Sequence, residues 1–324
     1  RGAEVVVGEL ASALGKRHSV TVIKGQGQVK PRWPLLWRFY VDPPGISVFW
    51  FTFRKLHLLW KEKFDIVIPI NGGWQPALVR VITWLYGGKM VIIGHSGKGW
   101  DDRNNLWCFP DAFVALSNHL RRWAKKVNPF VREEFIPNGV NINSFKSSGS
   151  SLDFRLEKPI VLSVGALNEE KRMDLVVKAV SKLGKGSLLI VGNGTLKNKL
   201  SKLGKDLLGK RFQIINKNFE EMPAVYRSAN VFTIASPSYR SFEIVLLEAM
   251  STNLPIVANR DPIRREIIGD SGILVDPTDV DKYAEALDLA LKTEWGDKPR
   301  KQAEKFNWEK IVKMYEDLFK SLLS

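Results

Sequence analysis

The sequence predicts an α/β protein made of two Rossmann-like domains, each built on a parallel sheet. Short runs rich in Val, Ile and Leu alternate with segments of helical periodicity along almost the whole chain. Such alternation is typical of parallel strands joined by right-handed helical crossovers. A Ser-rich stretch without periodicity at residues 143–158 interrupts the alternation, as expected of a linker between domains. The 324 residues are enough for two ordinary domains.

In the first half, the periodicity predicts a helix over residues 3–16 and a short β-branched strand, SVTVI, over 19–23. Residues 24–45 are punctuated by Gly and Pro and are predicted to be irregular. The remaining elements are a helix within 46–60, a strand at 65–70, a helix at 75–86, a strand at 89–94, a polar loop at 94–105, a strand at 112–117 and a helix at 119–126.

The second half shows the same alternation with longer apolar runs. Strands are predicted at 159–165, 187–192, 212–216, 231–236, 255–259 and 272–276, with helices at 172–183, 195–208, 221–228, 244–252 and 262–268 and further helices to the end. The predicted domains are 1–145 and 159–306, joined by a linker at 146–158, with a C-terminal helix over 307–324 that returns to the first domain. Ligands of such sheets bind beyond the carboxyl ends of the strands, so the chemistry is expected in the loops that follow them.

Charge is distributed unevenly, since residues 1–150 carry 21 Lys and Arg against 10 Asp and Glu, and nine of the 11 Trp. Basic residues mixed with Trp suit an anionic membrane surface. The alternative is that the Trp side chains are core and the Lys and Arg form a solvated face. A nucleic-acid partner would rest on charge alone and is not expected.

The most apolar stretch, Ile46–Trp60, is about 15 residues long and contains Arg54, Lys55 and His57, too short and too charged to span a bilayer. It is either a helix packed on a sheet or an amphipathic helix on a membrane surface. The four His residues are far apart and Cys108 is the single cysteine, so no metal site and no internal disulfide are predicted, and a reducing compartment is favoured.

Several segments, in order, resemble glycosyltransferase family 4, whose members are retaining enzymes of the GT-B fold. The residues that carry the resemblance are VGALNEEKRMDLVVKAV at 164–180, IVGNGTLKNKL at 190–200, MPAVYRSANVFTIASPS at 222–238, SFEIVLLEAMSTNLPIVA at 241–258 and PIRREIIGDSGILVDPTD at 262–279. RGAEVVVGELASAL, FVALSNHL and FIPNGVNINSF in the first half are similar to family segments as well. The family's first N-terminal strand has no counterpart in the chain.

This resemblance implies two Rossmann-like domains that face a cleft, the first domain binding the acceptor and the second the donor nucleotide. The implied reaction moves a hexose from a UDP- or GDP-sugar to a glycan or lipid-linked acceptor, with retention and without a metal or other cofactor. The expected process is the synthesis of cell envelope polysaccharide. The expected location is the cytoplasm, with the basic, Trp-rich first half peripheral on the inner face of the plasma membrane.

Breaking the bond to the diphosphate leaves negative charge, which Lys side chains, backbone N–H groups and helix N-termini can stabilise. By resemblance Lys171 contacts the diphosphate, and Glu248 accepts hydrogen bonds from the donor ribose. A surface lysine at a helix start is the alternative for Lys171, but the helix dipole disfavours it. The implied donor-binding residues are Gly2, Gly165, Lys171, Phe242, Ile244, Val245 and Glu248, and His95 is implied to orient the donor sugar.

Three positions depart from the family pattern. Arg240 stands where the first signature Glu is expected, Glu243 where Gly is common, and Ala166 where many members carry Arg. Glu243 then contacts the sugar while Arg240 binds phosphate, or the donor is an acidic sugar that suits Arg, or activity is lost.

Arg240 and Glu243 are therefore catalytic candidates together with His95. The alternative function is a catalytically impaired protein that binds nucleotide sugars or serves as a membrane-associated scaffold. A Rossmann dehydrogenase is disfavoured because neither Gly25-Gln26-Gly27 nor Gly192-Asn193-Gly194 has the third glycine of the dinucleotide fingerprint.

Overall fold

The computed structural model describes residues 2–25, 32–237 and 242–324. The chain forms two compact units. The N-terminal unit runs to Asn138 and includes Glu309–Ser324, whereas the C-terminal unit begins at Gly139 and ends at Trp308. Each unit contains its own parallel sheet, which confirms the predicted α/β class with two parallel-sheet domains.

The N-terminal unit has a four-stranded sheet in the order β1-β2-β3-β4. Its strands are β1 (Ile66–Val67), β2 (Lys89–Ile93), β3 (Ala112–Ala115) and β4 (Glu133–Phe135), and its helices are α1 (Gly2–Leu14), α2 (Pro43–Glu62), α3 (Trp74–Tyr86), α4 (Trp100–Leu106) and α5 (Asn118–Val127). The central strands β2 and β3 are almost wholly buried, as expected of parallel strands covered on both faces. Within the described residues, no helix has both the length and the apolar character needed to cross a bilayer.

Two predictions for the N-terminal unit were wrong. Residues 19–23 form no strand, although their β-branched composition favours one. They line a cavity of about 2210 Å³ together with parts of α1, α2 and the segment around β1, and strand propensity alone does not make a strand without a partner backbone. Residues 94–105, predicted to be a loop, include the helix α4.

The C-terminal unit has a six-stranded parallel sheet in the order β10-β9-β8-β5-β6-β7. Its strands are β5 (Ile160–Val164), β6 (Ser187–Val191), β7 (Phe212–Ile215), β8 (Val231–Ile234), β9 (Ile256–Asn259) and β10 (Gly272–Val275). Its helices are α6 (Met173–Lys182), α7 (Lys197–Leu208), α8 (Met222–Arg227), α9 (Ile244–Ser251), α10 (Pro262–Ile268), α11 (Val280–Lys292) and α12 (Lys298–Ala303), and α13 (Trp308–Leu323) follows them.

Strand β5 lies at the middle of this sheet, with β6 on one side and β8 on the other. Its residues Ile160, Val161 and Leu162 are each at most 4% exposed. The core beneath the sheet is aliphatic and includes Val176, Leu188, Val231, Val257 and Leu287. The direction in which the chain winds reverses at β5, and such a reversal point is where open α/β sheets bind ligands.

Side-chain hydrogen bonds hold the Ser-rich stretch, which precedes this sheet in the chain. Arg227 donates from Nε to Ser150 O at 2.7 Å, and Leu152 N donates to Ser228 Oγ at 2.8 Å. The Ser-rich stretch is therefore hydrogen-bonded to the C-terminal unit.

In the N-terminal unit, Glu316 of α13 accepts hydrogen bonds from Arg17 and His18, both at 3.1 Å.

Candidate active site

The candidate site of the C-terminal unit lies at the carboxyl ends of the neighbouring strands β5 and β8. Lys171 is in the loop that follows β5, and Glu243 is in the segment that follows β8. These two residues are 72 positions apart, yet the Lys171 ammonium forms an ion pair with Glu243 Oε1. The sheet topology thus brings together the predicted diphosphate lysine and one of the positions that depart from the family pattern.

The loop after β5 holds Lys171 in a defined place. Asn168 caps a short 3-10 helix, Glu169–Lys171, by accepting a hydrogen bond from Lys171 N at 3.2 Å. The next residue, Arg172, donates from Nε to Ala235 O at 2.6 Å, which ties the loop to the end of β8. The Lys171 side chain keeps 27% exposure, so its ammonium group remains within reach of a ligand.

Glycines allow the close packing beneath this loop. A Cβ at Gly192 would overlap the carbonyl oxygen of Gly165, so only glycine permits the ends of β5 and β6 to approach this closely. A Cβ at Gly165 would lie 3.3 Å from Met173 Cε and 3.6 Å from Lys171 Cγ. Gly165 therefore lies directly beside the Lys171 side chain.

Glu243 is a buried carboxylate with three donors. Besides Lys171, Ser236 Oγ donates to its Oε1 at 2.8 Å, and Arg264 Nη2 donates to its Oε2 at 2.9 Å. Its side chain is 6% exposed. Burial alone would raise the pKa of Glu243, but the charges of Lys171 and Arg264 outweigh it and lower the pKa to about 2.

Arg264 forms the inner end of this charge network and is fully buried. Its Nη1 lies 3.3 Å from Asp261 Oδ2, and Asp261 in turn caps α10 by accepting from Ile263 N and Arg264 N at 2.9 and 3.0 Å. Arg264 was not predicted from the sequence to be part of the site, because a charged residue on a helix is normally exposed.

The start of α9 is close to the same charges, since Glu243 is its N-cap residue. The first amides of a helix have no acceptor within the helix, which applies to Ile244 and Val245. Phe242, just before them, is 7% exposed. Arg240 lies outside the described residues, so its predicted catalytic role stays a prediction.

Glu248 is buried in α9 and 6% exposed, so it is not an exposed helix residue. Its Oε2 accepts a hydrogen bond from Tyr226 Oη at 2.6 Å. Burial, and then the nearby Glu248 charge, raise the pKa of Tyr226. A buried Glu within the apolar run IVLLEAM needs a polar partner, and spacing along the chain does not identify Tyr226 as that partner.

In the N-terminal unit, His95 follows β2 at its carboxyl end. Among the described residues its Nε2 is shielded from solvent and has no hydrogen-bond partner, and burial lowers the pKa of His95 to about 4. The imidazole is therefore neutral near pH 7. Nearby in sequence, Asp102 accepts from Ser96 N at 3.0 Å, and burial raises the pKa of Asp102 to about 7.

Tyr40, which contacts Asp101 next to Asp102 in the N-terminal unit, was not predicted from the sequence to have a role. Its hydroxyl donates to Asp101 Oδ1 at 2.9 Å, and its carbonyl accepts from Trp74 Nε1 at 3.0 Å. Gly73, with φ of +75°, packs against the Tyr40 ring so closely that a Cβ would overlap it. Tyr40 thus joins the loop after β1 to α4, and no local sequence pattern around Tyr40 indicated this.

Gly2, the remaining predicted donor contact, is the first residue of α1. Within the ranges that the structure describes, no group of three or more His, Cys, Asp or Glu residues is placed to hold a metal ion.

Two family models cover most of the chain. The model of the glycosyl transferases group 1 family matches residues 146–307, and the model of glycosyltransferase family 4 matches residues 1–144. The two matches meet between residues 144 and 146, inside the Ser-rich stretch 143–158.

Curated relatives include the sulfoquinovosyl transferase of Arabidopsis thaliana, 29% identical over 214 residues, which are 61% of this chain and 39% of the relative. A phosphatidyl-myo-inositol mannosyltransferase of Mycolicibacterium smegmatis is 29% identical over 219 residues, 63% of this chain and 56% of the relative. The chain thus spans less than two thirds of the length of either relative.

Among solved structures, sucrose-phosphate synthase from Thermosynechococcus elongatus superposes with a TM-score of 0.74 at 21% identity, over 99% of this chain and 94% of that one. The Anabaena protein HepE in complex with UDP gives a TM-score of 0.69 at 15% identity, over 84% of this chain and 82% of that one. These similarities show the GT-B fold. With both halves matched by family models, the chain belongs to the family 4 and group 1 glycosyl transferases.

Proposed function

We propose that this protein is a retaining, metal-independent glycosyltransferase that moves a hexose from a UDP- or GDP-sugar to a glycan or lipid-linked acceptor. The observation that carries the proposal is the position of Lys171 beside the start of α9, at the reversal point of the C-terminal sheet. A cation and a helix N-terminus at that point form an anion site suited to a diphosphate. The similarity to a sulfoquinovosyl and a mannosyl transferase supports sugar transfer, and the similarity to a structure in complex with UDP supports a nucleotide-sugar donor.

Each group has a role in this reaction. The bond between the sugar C1 and the diphosphate oxygen breaks, and its electron pair stays on the diphosphate. Lys171 and the amides of Ile244 and Val245 stabilise that negative charge. The acceptor hydroxyl oxygen bonds to C1 on the same face and its proton passes to the departing phosphate oxygen, so no protein nucleophile is required.

Two further residues, one in each unit, are assigned roles in the proposed reaction. Glu248, held by Tyr226, accepts from the hydroxyls of the donor ribose. His95 is the candidate for the donor-sugar contact, since it is neutral near pH 7 and its shielded Nε2 has no partner within the described residues. A neutral imidazole can donate or accept a hydrogen bond to a sugar hydroxyl.

A panel of UDP- and GDP-sugars, assayed for hydrolysis and for transfer, tests the proposal. Lys171→Ala is expected to weaken UDP or GDP binding about tenfold, because it removes a charge-assisted hydrogen bond. The matched control is Lys178→Ala, which removes an exposed lysine whose partner is Asp174 on the same helix. The absence of turnover with every donor, together with unchanged nucleotide binding in Lys171→Ala, would refute the enzyme.

The second candidate function is a protein that binds nucleotide sugars without turning them over. The observation that favours it is the ion pair between Lys171 and Glu243, which engages the cation proposed to stabilise the leaving group. Nucleotide binding without turnover, with turnover gained in the double variant Arg240→Glu and Glu243→Gly, supports this candidate over the first.

A peripheral position at the anionic inner face of the plasma membrane is proposed as well. Trp50, Phe53 and Trp60 of α2 lie on one face of the helix and are 51, 52 and 49% exposed. The exposed basic residues Arg54 and Lys61 lie beside them. Aromatic rings flanked by Lys and Arg are typical of helices that lie in a membrane interface.

Vesicle cosedimentation tests this position. The protein is expected to bind vesicles that contain phosphatidylglycerol and to bind pure phosphatidylcholine weakly. Phe53→Ser with Trp60→Ser is expected to reduce binding, whereas Trp107→Ser, which changes a Trp of similar exposure on another element, is the control. Binding that does not depend on lipid charge would count against the proposal.

A further inference from the structure

The lysine of the proposed anion site is already paired with a carboxylate from this chain. Lys171 Nζ contacts Glu243 Oε1, and the same oxygen accepts from Ser236 Oγ at 2.8 Å. Glu243 Oε2 accepts from Arg264 Nη2 at 2.9 Å. Both carboxylate oxygens are thus engaged, and 6% of the side chain is exposed. Because both oxygens already accept from donors of this chain, the contacts of Glu243 indicate a different role from the sugar contact predicted from the sequence.

The two cations that hold Glu243 differ in accessibility. Arg264 has no exposed side-chain surface and is also paired with Asp261, so a ligand in solvent cannot reach it. The Lys171 side chain is 27% exposed. Arg264 therefore anchors the carboxylate from within, while Lys171 is the cation that both Glu243 and an incoming ligand can contact.

A diphosphate and a carboxylate bind a lysine in the same way, because both accept hydrogen bonds from its N–H groups through anionic oxygens. A lysine paired with a carboxylate presents little net positive charge. Opposite charges at contact distance attract, and a second anion brought to the same lysine is repelled by the first. The ion pair must be weakened or exchanged when a diphosphate binds Lys171.

We propose that Glu243 competes with the donor diphosphate for Lys171, and that this competition sets how tightly the nucleotide sugar and the nucleoside diphosphate product are held. The proposal rests on the proposed function, since it assumes that a diphosphate binds at Lys171. Arg264 acts as a positioning residue that keeps the competing carboxylate at this place. A site in which a carboxylate competes for the lysine binds its donor weakly and releases the nucleoside diphosphate product readily.

Titration calorimetry on the full chain tests the competition with four probes: UDP, GDP, inorganic pyrophosphate and uridine. Glu243→Gln keeps the shape of the side chain and removes its charge. It is expected to bind UDP, GDP and pyrophosphate about tenfold more tightly, the size expected when one close charge is removed. Uridine binding is expected to stay unchanged, because uridine carries no phosphate. A merely structural role for Glu243 would change uridine and UDP binding alike.

A matched control separates the ion pair from the general change in charge. Glu169 is an exposed carboxylate on the same 3-10 turn as Lys171. Glu169→Gln makes the same change in net charge but leaves the pair intact, and it is expected to alter UDP affinity much less than Glu243→Gln.

Coupling between the two partners gives a second test. Lys171→Ala is expected to weaken UDP binding about tenfold in the native background and about a hundredfold in the Glu243→Gln background, where the lysine is no longer engaged. Equal losses in both backgrounds would contradict the competition.

A second variant, Glu243→Gln with Arg264→Met, is a control for loss of folding, because it removes the charges of both Glu243 and Arg264. Replacing a buried ion pair by neutral groups is tolerated better than breaking it. This variant is also expected to bind UDP more tightly than the native protein. If the native protein binds UDP and neither Glu243 variant binds it more tightly, the competition is refuted while the proposed function stands. If no variant binds any nucleotide, the proposed function is refuted and the competition with it.

Discussion

At the scale of residues, the surroundings of Glu243 decide its charge state. A carboxylate moved into a protein interior is strongly disfavoured unless cations compensate for the lost solvation. Here Lys171 and Arg264 do so, and they lower the pKa of Glu243 to about 2. The contribution of this pairing to stability is fully present above pH 4.5, the pKa of an ordinary Glu, and is lost as pH falls through 2.

A stability prediction follows from the buried position of Arg264. Arg264→Met alone leaves Glu243 and Asp261 buried with one cation fewer, and it is expected to lower the free energy of unfolding by about 3 kcal/mol. Arg264→Met together with Glu243→Gln also removes one of these two carboxylate charges, leaving Asp261, and is expected to lower the free energy of unfolding by less. Urea unfolding of the three proteins measures both differences. Equal losses in the single and double variants would show that the pair is not coupled.

At the scale of elements, the predictions for the C-terminal unit agree with the structure to within about two residues at nearly every strand. Buried parallel strands such as β6 are continuous apolar runs, which separates them clearly from polar loops. The same reasoning missed β4, whose residues Glu133–Phe135 include two acidic side chains. It also missed α4, because WDDRNNL has no apolar periodicity.

One prediction at this scale concerns the contact between the ends of β5 and β6. Gly192→Ala places a methyl group against Gly165 O, so the two loops must separate, and the Lys171 side chain beside Gly165 is displaced. The variant is expected to lose about 1 to 3 kcal/mol of stability and to bind UDP more weakly.

Gly184→Ala is the matched control for this prediction. Gly184 also has a positive φ, +68°, but a Cβ there meets nothing within 4 Å. Gly184→Ala is expected to lower the free energy of unfolding by about 1 kcal/mol, from backbone conformation alone, and to leave UDP binding unchanged. Thermal melts and UDP titration of both variants check the pair, and equal behaviour of the two would contradict the steric explanation.

At the scale of the whole molecule, local patterns predicted the class of fold but not the contacts that build the site. Lys171, Glu243 and Arg264 follow β5, β8 and β9, and they meet only because these three strands are neighbours in the sheet. Local periodicity does not reveal the order of the strands. The resemblance placed Lys171 and Glu243 near one another, whereas their direct pairing depends on side-chain packing. Arg264 and Tyr226 are buried polar partners that spacing along the chain does not identify.

The N-terminal unit contains two buried ionisable groups whose pKa values shift in opposite directions. Burial raises the pKa of Asp102 from 3.8 to about 7, so the folded state holds a proton that the unfolded state releases, and stability falls as pH rises between these values. Burial lowers the pKa of His95 from 6.5 to about 4, so stability falls as pH drops between those values. The two effects oppose each other over pH 4 to 6.5.

When either group is replaced, the free energy of unfolding is therefore expected to show the pH dependence that comes from the other group. Asp102→Asn is expected to make stability rise with pH between 4 and 6.5 by up to about 1.4 kcal/mol per pH unit, relative to the native protein. His95→Gln is expected to make it fall over the same range. Tryptophan fluorescence during urea unfolding at several pH values measures this in the N-terminal unit, since nine of the 11 Trp lie in residues 1–150. If both variants keep the native pH profile, His95 and Asp102 do not titrate as their burial predicts, and the neutral imidazole proposed for the sugar contact loses its support.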